Sequence, residues 1–313
     1  MRAGLITGVL LLCVVLAVAA HLGKGEEFAK LLTQAKPGWL VVAVVLQAAT
    51  YVCAGGVWHI ALARQGHSRP LRQMVRLGIV KVFMDQAVPS AGISGNVLVA
   101  RGLRRRGLSH RNAVATVLAG LISFYIANGL AVAGTLVILW RTGRVSRFLA
   151  ILATVFAVVL AIFLAGILWV TRGRARIPSW IRRIGPLKTF LSAIGDRPPH
   201  VVRDSGFFTE ASTLQLGLIA LDAATLWAVL QSLGTTVPAG GVFASYTMAS
   251  VVAMLSLLPG GLGTFDGTAI AMLRAFHVPI EAAVAGTVLL RGFTFILPLI
   301  PGFWLARAEA VRG

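Results

Sequence analysis

The chain has 313 residues, of which 57% are hydrophobic and only 12% are charged, and its formal net charge is +19. A soluble globular protein averages about 25% charged residues, so the composition excludes an ordinary soluble enzyme and indicates an integral membrane protein. The positive charge lies in short segments between apolar blocks, which leaves no segment long enough for a nucleic-acid-binding domain.

Six apolar blocks are long enough to cross about 30 Å of hydrocarbon as α-helices. The first, residues 4–20, has the pattern of a signal peptide, but we expect an uncleaved membrane helix because the repeat described below requires it. The other five predicted spans cover residues 38–63, 112–140, 148–171, 211–233 and 281–306.

Two further apolar segments, residues 77–100 and 242–275, are interrupted by prolines and glycines. Pro89 breaks the first, and the stretch "PGGLG" at 259–263 breaks the second. Lipid cannot satisfy the backbone groups that such a break frees, so irregular backbone at membrane depth needs surrounding protein or a water-filled cavity. We therefore predict two broken or re-entrant helical hairpins that face the interior.

The two broken segments lie at equivalent places in two halves of the chain, 1–145 and 146–313. An offset of 170 residues pairs Pro89 with Pro259 and, after one insertion, aligns "AVATVL" with "AVAGTVL". The predicted spans place the halves in opposite orientations, an arrangement typical of transporters with sites near the bilayer midplane. We predict a single all-α polytopic membrane domain with six full spans and two hairpins in inverted-topology halves.

The distribution of positive charge predicts the orientation. With the N-terminus inside, 20 Lys and Arg residues lie in the inside segments and 7 in the outside segments. Because cytoplasmic loops carry an excess of Lys and Arg, we expect both termini in the cytoplasm and contacts between the basic loops and anionic lipid heads. The arginine-rich composition favours a bacterial inner membrane, and self-association into a homo-oligomer is left open.

Polar groups at membrane depth define the candidate binding site, because charges there are costly and usually face a cavity or a partner. Thr264 is predicted to cap a half-helix with Asp266 in its first turn, and such an N-terminus favours a phosphate. Two alternatives stay open: Asp266 only stabilises its own helix, or Asp222 and Arg291 form a structural ion pair. The candidate substrate-binding residues are Asp85, Gly95, Asn96, Arg101, Asp222, Gly260, Gly261, Gly263, Thr264, Asp266 and Arg291.

No cofactor or metal is predicted. Cys13 and Cys53 have no metal-binding spacing, and the sequence contains no ATP-binding motif of the form GxxxxGK[ST]. We therefore expect a transporter driven by a gradient or by mass action, and not an enzyme. The alternatives are a small-solute or ion transporter, a structural partner of other membrane machinery, and a membrane-embedded lipid-linked transferase that would use Glu26 and Glu27.

The stretch "LPGGLGTFDG" at 258–267, followed by Arg291, resembles the transmembrane flippase-like domain of lysylphosphatidylglycerol synthases, and the likeness extends over nearly the whole chain. That family's second motif is a Pro-Gly-Gly-Leu-Gly turn, then an acidic residue, then an arginine in the next helix. Asp266 stands where a glutamate is usual, and Arg291 matches the arginine.

The family's first motif, a Pro/Gly turn followed by an acidic residue and an arginine, is matched by Pro89, Gly92, Gly95 and Arg101. Asn96 replaces the acidic residue, and no arginine in the span at 112–140 mirrors Arg291.

The resemblance implies that the protein moves a polar-headed lipid between leaflets. Arg101 and Arg291 would counter the phosphate, while Asp266, with Asp85 or Asp222, would recognise a cationic head or carry a proton. Relatives that make aminoacyl lipids add a soluble transferase domain, which we do not expect here because the sequence ends soon after its last apolar block.

Overall fold

Helices make up most of the described chain. The computed structural model describes residues 35–87, 93–143, 204–256 and 263–298, and the positions 151, 154–158, 161, 201, 261, 302, 304 and 305. These residues contain no strand, and their helices of twelve or more residues are α1 (Pro37–Ala63), α2 (Leu71–Ala87), α3 (Ile93–Arg105), α4 (His110–Arg141), α5 (Ser205–Ser232), α6 (Ala239–Leu255), α7 (Thr264–Ala275) and α8 (Ile280–Arg291). A π-helical turn, Gly292–Ile296, extends α8. The predicted all-α class is confirmed.

Three helices in the described part, α1, α4 and α5, are long and apolar enough to cross a bilayer. They have 27, 32 and 28 residues, and at about 1.5 Å per residue each exceeds the hydrocarbon thickness of about 30 Å. They confirm the helices predicted at 38–63, 112–140 and 211–233. The span predicted at 4–20 and most of the one at 148–171 lie outside the described residues.

Both interrupted segments are helical hairpins. α2 ends two residues before Pro89, and α3 packs back against it with Leu77 touching Gly102. α6 ends before the second break, and α7 packs back against it, with the rings of Tyr246 and Phe265 in edge-to-face contact at 5.7 Å. Since neither segment is one continuous helix, the predicted interruptions are confirmed.

The first hairpin is longer than predicted. α2 starts at Leu71 and α3 runs to Arg105, so both helices extend beyond the predicted apolar segment 77–100 into the basic sequence on either side of it. No proline lies between position 71 and Pro89, and arginine is a good helix former. Positive charge alone therefore does not mark where these helices end.

α1 and α5 pack side by side in opposite directions. At one end the backbone amide of Lys36 donates a 2.9 Å hydrogen bond to the carbonyl oxygen of Ser232. At the other end the guanidinium of Arg64 pairs with Asp204 at 2.8 Å and with Glu210 at 2.6 Å. We call these the Lys36 end and the Arg64 end of the bundle.

The two hairpins enter the bundle from opposite ends. The α2–α3 hairpin opens at the Arg64 end, where Nδ1 of His59 donates to the carbonyl oxygen of Arg69, and the side chain of Arg69 donates to the carbonyl oxygen of Arg106. The α6–α7 hairpin opens at the Lys36 end, where the indole of Trp227 donates to the carbonyl oxygen of Val237, just before α6. α2 and α6 therefore run from opposite ends toward the middle of the bundle.

The order of helices repeats along the chain. The helices α1 to α4 begin at residues 37, 71, 93 and 110, and α5 to α8 begin at 205, 239, 264 and 280, which is 168, 168, 171 and 170 residues later. These intervals agree with the offset of 170 found in the sequence. The predicted boundary between the halves, near residue 145, lies outside the described residues, and inverted topology in a membrane stays a prediction.

The start of α5 provides a small stability test. The carboxylate of Asp204 accepts the backbone amide of Phe207 at 3.0 Å as a helix cap, and it also pairs with Arg64. Removing a helix cap costs about 1 kcal/mol, so we expect Asp204→Ala to lower the free energy of unfolding by about that much. Glu210→Ala is the control, because its side chain is 50% exposed and such ion pairs contribute little. Equal unfolding transitions of the two variants in detergent micelles would contradict this assignment.

Candidate functional site

The second hairpin turns through two glycines in the left-handed backbone conformation, Gly261 at φ 63° and Gly263 at φ 75°. α7 starts at Thr264, so Gly263 occupies the N-cap position, and the prediction that Thr264 caps this helix is wrong. The Thr264 hydroxyl donates instead to the carbonyl oxygen of Gly261 at 3.1 Å and lies 3.1 Å from the hydroxyl of Ser256. It thereby links the end of α6 to the start of α7.

Arg291 holds this turn through a forked ion pair with Asp266. Its Nε donates to Oδ1 of Asp266 at 2.8 Å, and its Nη2 donates to Oδ2 at 3.3 Å and to the carbonyl oxygen of Gly261 at 3.2 Å. Oδ2 of Asp266 also accepts the backbone amide of Gly263 at 3.1 Å. The two side chains are only 14% and 18% exposed. The ion pair of Arg291 is therefore with Asp266 and not, as one alternative had it, with Asp222.

Arg291 also connects the turn to a second carboxylate. Its guanidinium carbon lies 4.4 Å from the centre of the Phe265 ring, which contacts Tyr246. The Tyr246 hydroxyl donates a 2.7 Å hydrogen bond to Oδ2 of Asp222. One continuous set of contacts thus runs from Asp266, beside the turn, to Asp222 in the middle of α5.

A cavity of about 270 Å³ at the middle of the bundle is bordered by Asp222, Tyr246 and Arg291, whereas Asp266 is not among its lining residues. Its walls come from α1, α2, and α5 to α8 with the π-helical turn, and its polar or charged lining residues are Gln47, Thr50, Tyr51, Asp222, Tyr246, Ser250, Arg291 and Thr294. Ligand pockets typically measure about 300–1,000 Å³, so this space suits a small polar group and not a whole phospholipid.

Three buried polar atoms of the lining have no hydrogen-bond partner within the described part of the chain. They are Oε1 of Gln47, the hydroxyl oxygen of Tyr51 and Oδ1 of Asp222. Gln47 is 3% exposed and Asp222 is 8% exposed. A buried polar atom without a partner is costly, so the cavity is suited to a ligand that donates hydrogen bonds.

The sequence did not single out Gln47, Thr50, Tyr51 or Tyr246. The first three have a local pattern, because the spacing of Gln47, Thr50, Tyr51 and Ala54 places them on one face of a helix. Tyr246 has no local pattern that could have identified it, since its role depends on the packing of α6 against α5.

The candidate residues of the first half do not line this cavity among the described residues. Gly95 is buried and Asn96 half-buried in the first turn of α3, while Arg101 is exposed further along that helix. The residues that lie outside the described set are Pro89, Gly92, Pro259, Gly260 and the side chain of Asp85.

Comparisons with known proteins agree with this architecture. The family model for the lysylphosphatidylglycerol synthase TM region matches residues 5–302. A UPF0104 membrane protein of Methanocaldococcus jannaschii is 23% identical over 92% of this chain and 90% of its own length. Another, from Methanothermobacter thermautotrophicus, is 27% identical over 97% of this chain and 93% of its own length. The matched region includes both hairpins and the Asp266–Arg291 pair, and the chain belongs to the lysylphosphatidylglycerol synthase transmembrane family.

Proposed function

We propose that this membrane protein translocates a polar-headed phospholipid between leaflets. The observation that carries the proposal is the polar cavity at mid-height of the bundle, reached by two hairpins from opposite ends. Polar and charged groups at such depth are costly in a membrane protein and usually serve a substrate path. The family membership supports the same reading, although the matched relatives are named only as membrane proteins.

In this proposal only the head group enters the cavity. The lipid chains remain outside, against the apolar surface that α1 presents through Val41, Val45 and Val52, which are 62%, 62% and 47% exposed. Arg291 would contact the phosphate at the edge of the cavity, and Arg101 would meet head groups at the protein surface.

The Arg64 end would face the cytoplasm. Arg69, Arg72, Arg104 and Arg111 are exposed near this end, and positive charge favours the cytoplasmic side and anionic lipid heads. The opposite entry of the hairpins supports inverted halves. We propose a transporter of the cell membrane and not an enzyme.

A tryptophan placed in the cavity tests the proposal. Ala54 lines the cavity, whereas Val52, on the same helix, is 47% exposed. We expect Ala54→Trp to slow translocation of a head-labelled phosphatidylglycerol in proteoliposomes by about tenfold or more, equivalent to about 1.36 kcal/mol on the barrier. Val52→Trp should retain the wild-type rate.

Equal rates of lipid movement in the two variants, at equal amounts of folded protein, would exclude the cavity as the lipid path. Uptake of a small solute without lipid movement would instead favour the small-solute transporter, which a cavity of this size would also accommodate.

A further inference from the structure

Asp222 is a buried carboxyl group with an incomplete set of hydrogen bonds. Its Oδ2 accepts from Tyr246 at 2.7 Å, and its Oδ1 has no partner among the described residues. With 8% of the residue exposed, water does not solvate the group as it would at a surface. An ionised carboxylate in such a place needs a cation or further donors.

The neighbouring helices do not supply an ion-pair partner to Asp222 among the described residues. α1 contributes Gln47 and Tyr51, α6 contributes Tyr246, and α8 contributes Arg291 to the same cavity. Arg291 is held by Asp266 and by the turn.

The remaining neighbour of α5 is α4, whose buried Asn128 donates to the carbonyl oxygen of Phe124 on the same helix. There Ala127 and Ala131 pack against Ile219, three residues before Asp222. The charge of an ionised Asp222 would therefore be left largely uncompensated.

Gln47 offers the complementary atom for a proton. Its Nε2 donates to the hydroxyl of Thr50 at 3.1 Å, which leaves Oε1 as an acceptor without a donor among the described residues. Gln47 also lies beside Asp222. A proton on Oδ1 of Asp222 would donate toward Oε1 of Gln47, so that one proton satisfies two buried acceptors while Oδ2 still accepts from Tyr246.

We propose that Asp222 is a proton-exchange site of the central cavity. The carboxyl group is neutral while its polar neighbours are only Tyr246 and Gln47, and it becomes a carboxylate when a hydrogen-bond donor of the transported head group reaches Oδ1. The proton then passes from Oδ1 to water in the cavity, so occupancy by the ligand is exchanged for a proton. The exchange with the ligand rests on the proposed transport function, whereas the proton site does not.

Infrared difference spectroscopy of the reconstituted protein tests the proton site directly. We expect a carboxylic-acid carbonyl band that disappears as the pH is raised through neutrality. The band should be missing in Asp222→Asn, which keeps an acceptor for Tyr246 and a donor toward Gln47. It should persist in Glu210→Gln, because Glu210 lies at the Arg64 end and its side chain is 50% exposed. Disappearance of the band at about pH 3.9, the pKa of an exposed aspartate, would overturn the proposal.

The pH dependence of lipid movement tests the exchange. Wild-type translocation of the labelled phosphatidylglycerol should vary with pH across the range in which the band disappears, and Asp222→Asn should lose that dependence. An unchanged pH profile in this variant would overturn the exchange. If the wild type shows the infrared band but moves no lipid, the result would support the proton site and count against the proposed lipid transport.

Discussion

Gly261→Ala is expected to lower the free energy of unfolding by roughly 2–5 kcal/mol. The backbone of Gly261 is left-handed at φ 63°, a conformation that costs an L-residue about 1–2 kcal/mol. A Cβ atom there would overlap the Cβ of Ala253 on α6, and overpacking adds about 1–3 kcal/mol. Because the Gly261 carbonyl oxygen accepts from Arg291 and Thr264, the strain would also disturb the candidate site.

Two glycines of the same hairpin serve as matched controls. Gly263 has φ 75° but open space around a Cβ position, so Gly263→Ala should cost only the backbone term of about 1–2 kcal/mol. Gly267 lies within α7, also with open space, and Gly267→Ala should stabilise the helix by up to about 1 kcal/mol. The unfolding midpoint in detergent should be highest for Gly267→Ala and then decrease through the wild type and Gly263→Ala to Gly261→Ala. The same midpoint for the last two variants would show that the contact with Ala253 does not matter.

The interruptions of both hairpins could be predicted from the sequence because their causes are local. Proline removes a backbone donor and restricts the residue before it, so Pro89 and Pro259 mark the breaks wherever the helices pack. The residue at which α3 ends, at the open end of the first hairpin, could not be predicted in the same way. Arg104 and Arg105 are compatible with both helix and loop, and packing against α2 decides in favour of helix.

Of the candidate site, the sequence indicated Asp222, Asp266 and Arg291, but neither the other polar residues of the cavity nor the contacts between them. Asp266 and Arg291 were identified because charges deep in apolar segments are rare. Their pairing depends on the return of α8 past the turn, which no spacing in the sequence encodes. The hydrogen bond from Tyr246 to Asp222 likewise depends on the packing of α6 against α5. The cavity could therefore be identified only from the fold.

Arg291→Ala is expected to abolish lipid translocation and also to destabilise the protein. Folding is affected because Arg291 forms an ion pair with Asp266. Removing one partner of a buried pair leaves an uncompensated charge, at a cost of about 3–5 kcal/mol. Since both side chains are partly exposed, we expect a cost near 3 kcal/mol, the lower limit of that range. Asp266→Ala should be destabilising to a similar degree.

The double variant Arg291→Ala/Asp266→Ala separates structure from transport. It leaves no unpaired charge, so its loss of stability should be smaller than the sum of the two single losses by at least about 1 kcal/mol, a coupling typical of residues in contact. If Arg291 contacts the lipid phosphate, the double variant will regain stability but not translocation in proteoliposomes. Recovery of translocation together with stability would mean that Arg291 only stabilises the turn at Gly261. The proposed contact between Arg291 and the lipid phosphate would then have to be given up.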